Sequence, residues 1–351
     1  MVFSNTIKEK ISIEVIKVII DAYYHQNDID IFYESPFYKA FSQPFVNKLV
    51  NNAFENLVVF DIGSWMQGLN TTLGQSFFEN IAHHLSNGCK REYTSKKHGN
   101  LQITKTQKHN ISQIITELSN NTQAPSLERE TSLIFIADDG SELVNAIDFS
   151  ADVFIEDDDS VTAIELKSVK PNSGEMRGEK HKILEGKAAL YRQFPRKQIN
   201  FYLGFPFDPT VNNVQDCCSY DKTRFFNSII NLDKSFAHDE TLLSSELWDF
   251  LSDEQNTMQQ ILSIINTIST TNFLDKFRLI NDRANSTSPV YRETLQEWNL
   301  ISELKLLDND EQIRCAIHGN KVLTRVYNKL SFDNKGNYNF DRYNELNAMI
   351  D

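Results

Sequence analysis

"ADVFIEDDDSVTAIELK", Ala151–Lys167, is two apolar runs separated by the polar segment EDDDS. Apolar, β-branched stretches on either side of a short acidic break predict a β-hairpin that turns near Asp158 and Asp159. Symmetry about that turn pairs residues whose numbers sum to 317, which sets Asp152 opposite Glu165. Directly opposed residues of an antiparallel pair share one sheet face, with Cβ atoms about 5 Å apart. Strand side chains repeat every second residue, so Lys167 shares the face of Glu165. The hairpin therefore gathers two carboxylates and a lysine at one end.

Like charges opposed across a strand pair destabilise it unless a cation compensates. Mg²⁺ suits such a place, because it takes one or two carboxylates and completes its shell with waters and phosphate oxygens. Asp152 and Glu165 are the expected metal ligands. A metal held there acidifies a water and polarises a phosphodiester, while Lys167 positions or deprotonates the water or holds a nonbridging oxygen. The competing reading is a solvent-facing hairpin carrying ordinary surface charges.

Downstream, Pro171 ends the strand, and "NSGEMRGEK", Asn172–Lys180, reads as a Gly-rich loop before a helix from about Gly178 to Gln193. Asn172, Ser173, Glu175 and Arg177 bring amide, hydroxyl, carboxylate and guanidinium groups of the kind that read base edges and grip phosphates. Lys180, Lys182 and Lys187 extend this into a phosphate-binding wall, or are equally solvated helix residues.

The formal net charge is -13 over 351 residues, unfavourable for a polyanionic partner. Its distribution points the other way. Lys90–Lys108 and Glu165–Gln198 each carry a local +5, so the rest of the chain carries -23. Two basic islands in an acidic body are the footprint of a nucleic-acid cleft, or of solvated helix faces. Four cysteines without CxxC spacing indicate a reduced, cytoplasmic protein. No segment is apolar for the roughly 18 residues a membrane span needs. His83–His84 is not a zinc motif, reads as surface, and Gly186–Lys187 lacks the rest of a phosphate loop.

Working outward, residues 11–58 read as mostly helical and Asn56–Trp65 as a strand. Leu73, Phe77, Ile81 and Leu85 mark an amphipathic helix capped by Thr71 or Thr72. "LERETSLIFIAD" leads into a β region, and Ile199–Phe205 reads as a strand. The segment after Asp208 is helical, notably "SSELWDFLSDEQNTMQQILSIINTI", with "NDRANSTSP" as a loop. An α/β core with helical additions is expected: a mainly helical region at 1–64, the core at 65–210 and a mainly helical region at 211–351.

"AIELKSVKPNSGEMRGEKHKILEGKAAL" and "TTLGQSFFENIA" together resemble the TdeIII/MjaII family of type II restriction endonucleases, within the PD-(D/E)xK nuclease superfamily. The likeness covers roughly Trp65 to Pro209. It implies a restriction-endonuclease-like core, a mixed β-sheet flanked by helices, in a Mg²⁺-dependent homodimer. Such an enzyme cuts double-stranded DNA at a short palindrome, GGNCC being the site it suggests, alongside a cognate DNA methyltransferase. It places Glu165 and Lys167 on the E-x-K element and an aspartate of "IDFSAD" on the element before it. Asp148 would fall opposite Val169, whereas Asp152 falls opposite Glu165, so geometry favours Asp152; Ala151 stands where the family pattern has proline. Glu79 matches an acidic residue on the first core helix, although a surface glutamate would also lie off the apolar stripe. The alternative activity is a catalytically silent or structure-directed DNA-binding or repair protein of the same fold.

Overall fold

The computed structural model describes residues 2–24, 36–42, 73–137, 139–167, 173–211 and 218–350. The strand expected at Asn56–Trp65, the Thr71 or Thr72 cap and Pro171 lie outside the described residues. The chain divides into two compact units, Phe78–Met258 and Met1–Phe77 with Gln259–Asp351.

In the second of these, helix α1 (Asn5–Tyr24) buries Ile11, Ile13, Val15, Ile16, Val18, Ile19 and Ile20, over more than half of its circumference. A bed of short helices between Thr257 and Asn347 completes this unit. Trp298 stacks on Phe273 at 5.2 Å, and the buried Arg342 guanidinium is neutralised by Glu303 at 2.7 Å.

The sheet-bearing unit starts with helix α2 (Phe78–Ser86), whose buried Phe78, Ile81, Ala82 and Leu85 follow the helical repeat. The stripe expected over Leu73–Leu85 is interrupted: Leu73–Phe77 is a π-helical turn before the α-helix begins. Strands β1 (Cys89–Tyr93) and β2 (Gln102–Thr104) follow, then helix α3 (Lys105–Ser119), whose N-terminus Thr104 and Gln107 close in a capping box. The "LERETSLIFIAD" stretch is itself helical as α4 (Leu127–Ile134), because Ser126 caps the Arg129 amide and Glu130 returns to the Ser126 amide. Strands β3 (Leu143–Asn145), β4 (Phe149–Glu156) and β5 (Ser160–Leu166), helix α5 (Ser173–Gln193), and strands β6 (Gln198–Phe205) and β7 (Thr241–Leu243) complete the α/β framework.

The main sheet runs β1-β4-β5-β6-β7 and is mixed: β1, β4 and β5 are antiparallel, while β5, β6 and β7 are parallel. The β4–β5 pairing is the expected hairpin, Val153 opposite Ile164 and Glu156 opposite Val161, in the register that sums to 317. Val161–Glu165 are all buried, as befits a central strand covered on both faces. Helix α5 is the crossover that lets β5 and β6 run parallel. It begins at Ser173, five residues before the expected start, so Ser173–Lys180 is helical and not a loop. Because β7 joins the sheet at Thr241–Leu243, the sheet-bearing unit extends well past 210. This is a five-stranded mixed sheet flanked by helices, the α/β arrangement that the resemblance implies.

Candidate active site

The β1–β4 ladder carries a β-bulge: Cys89 pairs with Phe154 but Arg91 with Ala151, so Asp152 and Val153 together oppose Lys90. A bulge bends its strand and re-aims side chains. Here it turns the Asp152 carboxylate between both neighbouring strands. Oδ2 accepts the Leu166 amide of β5 at 2.9 Å, and Oδ1 lies 3.2 Å from the Lys90 ammonium of β1. On the main chain, His83 of α2 donates through Nε2 to the Asp152 carbonyl at 2.7 Å, which corrects its reading as a surface residue.

Lys90 also reaches both carboxylate oxygens of Glu79, each at 3.2 Å, so Glu79 joins the hairpin acids from the helix side. Glu165 is 7% exposed. Its Oε1 lies 2.8 Å from Lys182 and 3.4 Å from Lys167. Its Oε2 is buried without a hydrogen-bond partner. Glu179, one turn before Lys182 on α5, holds Lys167 at 3.0 Å and Lys182 at 3.3 Å. Asp152, Glu165, Lys167 and Glu79 thus lie in one cluster, four acids and three lysines in all. Asp148, by contrast, is exposed and accepts from Asn100.

The electrostatics follow from crowding. Burial, reinforced by the charge of Asp152, raises the pKa of Glu165 and of Glu79. Burial opposes the charge of Lys167, but Glu165 and Glu179 outweigh it, and its pKa is raised. Lys90 behaves alike, Asp152 and Glu79 outweighing burial. Among the described residues no group of three or more His, Cys, Asp and Glu side chains is placed to hold a metal ion. The donor set still fits a hard divalent cation, which needs few carboxylates beside water and phosphate. The bare Glu165 Oε2 beside the Asp152 carboxylate is the observation that supports that fit.

Lys180 requires a correction. Its ammonium is fully buried 2.5 Å from Glu130 and 2.6 Å from Glu240, so it ties α5 to neighbouring elements and is out of a phosphate's reach. Lys187 is also buried, near Thr131 Oγ1 at 3.2 Å and above the Phe135 ring; burial lowers its pKa. Only Lys182 of these three faces the acids. Arg177 is exposed on α5 and Ser173 and Glu175 lie in its first turn, while Asn172 lies outside the described residues. Tyr191 and Phe194 pack on Phe135 and Phe154, as core residues do.

Lys90 and Glu179 are members of the cluster that sequence reasoning did not assign; Lys182, read there as a phosphate-binding or solvated residue, pairs with the acids, and His83, read as surface, braces the Asp152 main chain. The i, i+3 spacing of Glu179 and Lys182 was a usable signal. Lys90 and His83 became visible only through the β1–β4 bulge and the packing of α2.

Residues 3–269 match the family described as "Type II restriction endonuclease, HinfI". The chain is 40% identical to the "Type II restriction enzyme MjaII" of Methanocaldococcus jannaschii, in an alignment covering 97% of this chain and 96% of that protein. No solved structure matches it. No helix among the described residues is long and apolar enough to cross a membrane.

Proposed function

Because the chain belongs to the HinfI family of type II restriction endonucleases, we propose that it hydrolyses phosphodiester bonds of double-stranded DNA with Mg²⁺ at a short palindrome. GGNCC is the site its resemblance suggests. A two-fold palindrome matches a two-fold protein, so the working form is a homodimer. A DNA methyltransferase of the same specificity protects the host DNA, and the enzyme works in the cytoplasm.

The observation that carries this reading is the meeting of Asp152, Glu165, Lys167 and Glu79 at one end of the hairpin, with one glutamate oxygen unclaimed. Asp152 and Glu165 are the residues that would hold the ion, and Glu79 adds a carboxylate from α2. When bound, Mg²⁺ supplies an acidified water and charge neutralisation at the phosphate. Lys167, 3.4 Å from Glu165 and 3.0 Å from Glu179, positions the attacking water or grips a nonbridging oxygen. Asn172, Ser173, Glu175 and Arg177 are the residues that would read bases and grip phosphates. Ionised Glu165 and Asp152 would repel each other and a phosphate, and Lys90, Lys167 and Lys182 offset that charge beside them.

Digestion of a supercoiled plasmid with Mg²⁺ tests the reading. Discrete fragments whose ends share one palindrome support it. A smear indicates cutting without site preference, and intact DNA indicates a binding module; either result rejects it.

A further inference from the structure

The ammonium of Lys90 lies where a cation bridging Glu79 and Asp152 would lie, 3.2 Å from Glu79 Oε1, 3.2 Å from Oε2 and 3.2 Å from Asp152 Oδ1. We propose that Lys90 is a resident counter-ion that suppresses metal capture by the unliganded protein and moves to a phosphate oxygen when DNA arrives. This rests on the nuclease reading above and adds to it a coupling between DNA and metal.

Three observations carry it. First, Lys90 sits opposite the bulge that aims Asp152, so the strand geometry places its stem against the acid instead of leaving the pair to chance. Second, its side chain is 42% exposed, whereas Lys167 and Lys182 are 18% and 19% exposed. Of these three lysines it is the most exposed. Third, the cluster is nearly neutral as it stands: Glu79, Asp152, Glu165 and Glu179 face Lys90, Lys167 and Lys182. A divalent ion entering that cluster without DNA creates a net positive pocket and repels an ammonium a few ångströms away. A phosphodiester restores the balance by giving the displaced ammonium an anionic partner. Metal and DNA then favour one another, and by linkage the coupling is reciprocal. Lys90 thus acts on the metal ligands in the free protein and on a phosphate oxygen in the complex.

The test is calorimetric titration of the full-length protein with Ca²⁺, a hard oxygen-seeking probe, without DNA. Lys90→Met should bind Ca²⁺ about tenfold tighter than the wild type, the effect expected of deleting one partly screened charge beside the site. Lys90→Arg, which keeps the charge, should remain within about threefold of the wild type. Adding a duplex bearing the cognate palindrome should tighten Ca²⁺ binding to the wild type and do so less for Lys90→Met. Circular dichroism confirms that each variant is folded, and Lys90→Arg serves as the readout should Lys90→Met fail to fold, since weakened or unchanged Ca²⁺ binding is its expected result and tightening would overturn the idea. Unchanged or weaker binding by folded Lys90→Met overturns the counter-ion role alone, provided Glu165→Gln still abolishes Ca²⁺ uptake. If no variant and no wild type binds Ca²⁺ with or without DNA, the metal-dependent reading itself fails, and this proposal with it.

Discussion

At the scale of single residues, the cluster trades stability for chemistry. Glu165 and Glu79 are held above the ordinary carboxylate value of 4.5, first by burial and then by the charge of Asp152. An acid with a raised folded pKa binds more protons folded than unfolded. Its contribution to stability is full below the unfolded value and is lost as the pH rises through the folded one. Ion binding runs the opposite way, because the ligands must be ionised. Ca²⁺ affinity should therefore fall as the pH is lowered, beginning above the range of an unperturbed carboxylate; a flat profile in calorimetry would show the acids are not the ligands. Glu165→Gln and Lys167→Ala should each lower plasmid cleavage by about 10²–10³-fold or more while leaving the far-ultraviolet circular dichroism unchanged. Cleavage at the wild-type rate by either variant would remove that residue from the site.

Elements decide how these residues meet. Helix α5 presents Glu179 and Lys182 to β5 while sending Lys180 the other way, into the buried Glu130 and Glu240. Removing one member of such a buried group strands the rest, so Lys180→Met should destabilise the protein by about 3–5 kcal/mol. An unchanged urea midpoint would contradict that assignment. The spacing of α5 on the sheet is set by Gly186, where an added Cβ would come within 2.9 Å of Phe201 and 3.3 Å of Phe149. Both rings belong to the packed core, and overpacking of this kind costs about 1–3 kcal/mol. Gly186→Val should show that loss in denaturant unfolding and should also slow cleavage, since Lys182 and Glu179 ride on the same helix. Full activity in a destabilised variant would uncouple the helix spacing from the site.

Over the whole molecule, charge is partitioned. The chain is acidic at -13, yet the cluster acids are met by Lys90, Lys167 and Lys182. The acidic remainder restrains non-specific adhesion to DNA, while local cations grip the phosphates. Binding should then be steeply salt-dependent: with about 6–10 phosphate contacts, affinity for a duplex falls by about 10³–10⁵ between 50 and 200 mM salt. A shallow slope in a fluorescence-anisotropy titration would argue against an electrostatic grip. The basic islands are only partly available for it. Lys105 is taken by Glu142 at 2.6 Å and Lys180 is buried, whereas Arg177 is exposed on α5.

What the sequence by itself determined is local: two apolar runs about an acidic turn require a hairpin, and its register, from Val153 opposite Ile164 to Glu156 opposite Val161, follows from the turn. The later strand at Gln198–Phe205 and the helix before it follow from periodicity in the same way. Only the tertiary structure decided the rest. The Asp152 bulge exists because β1, sixty residues earlier in the chain, pairs with β4 out of step, and that same pairing delivers Lys90. The separation of Lys180 from Lys182 arises because α5 is covered on nearly every side, and a buried ammonium must find carboxylates that come from α4 and the segment before β7. Side-chain alternation and turn propensity act over a few residues, whereas ion pairing in a low-dielectric interior depends on which distant elements pack together.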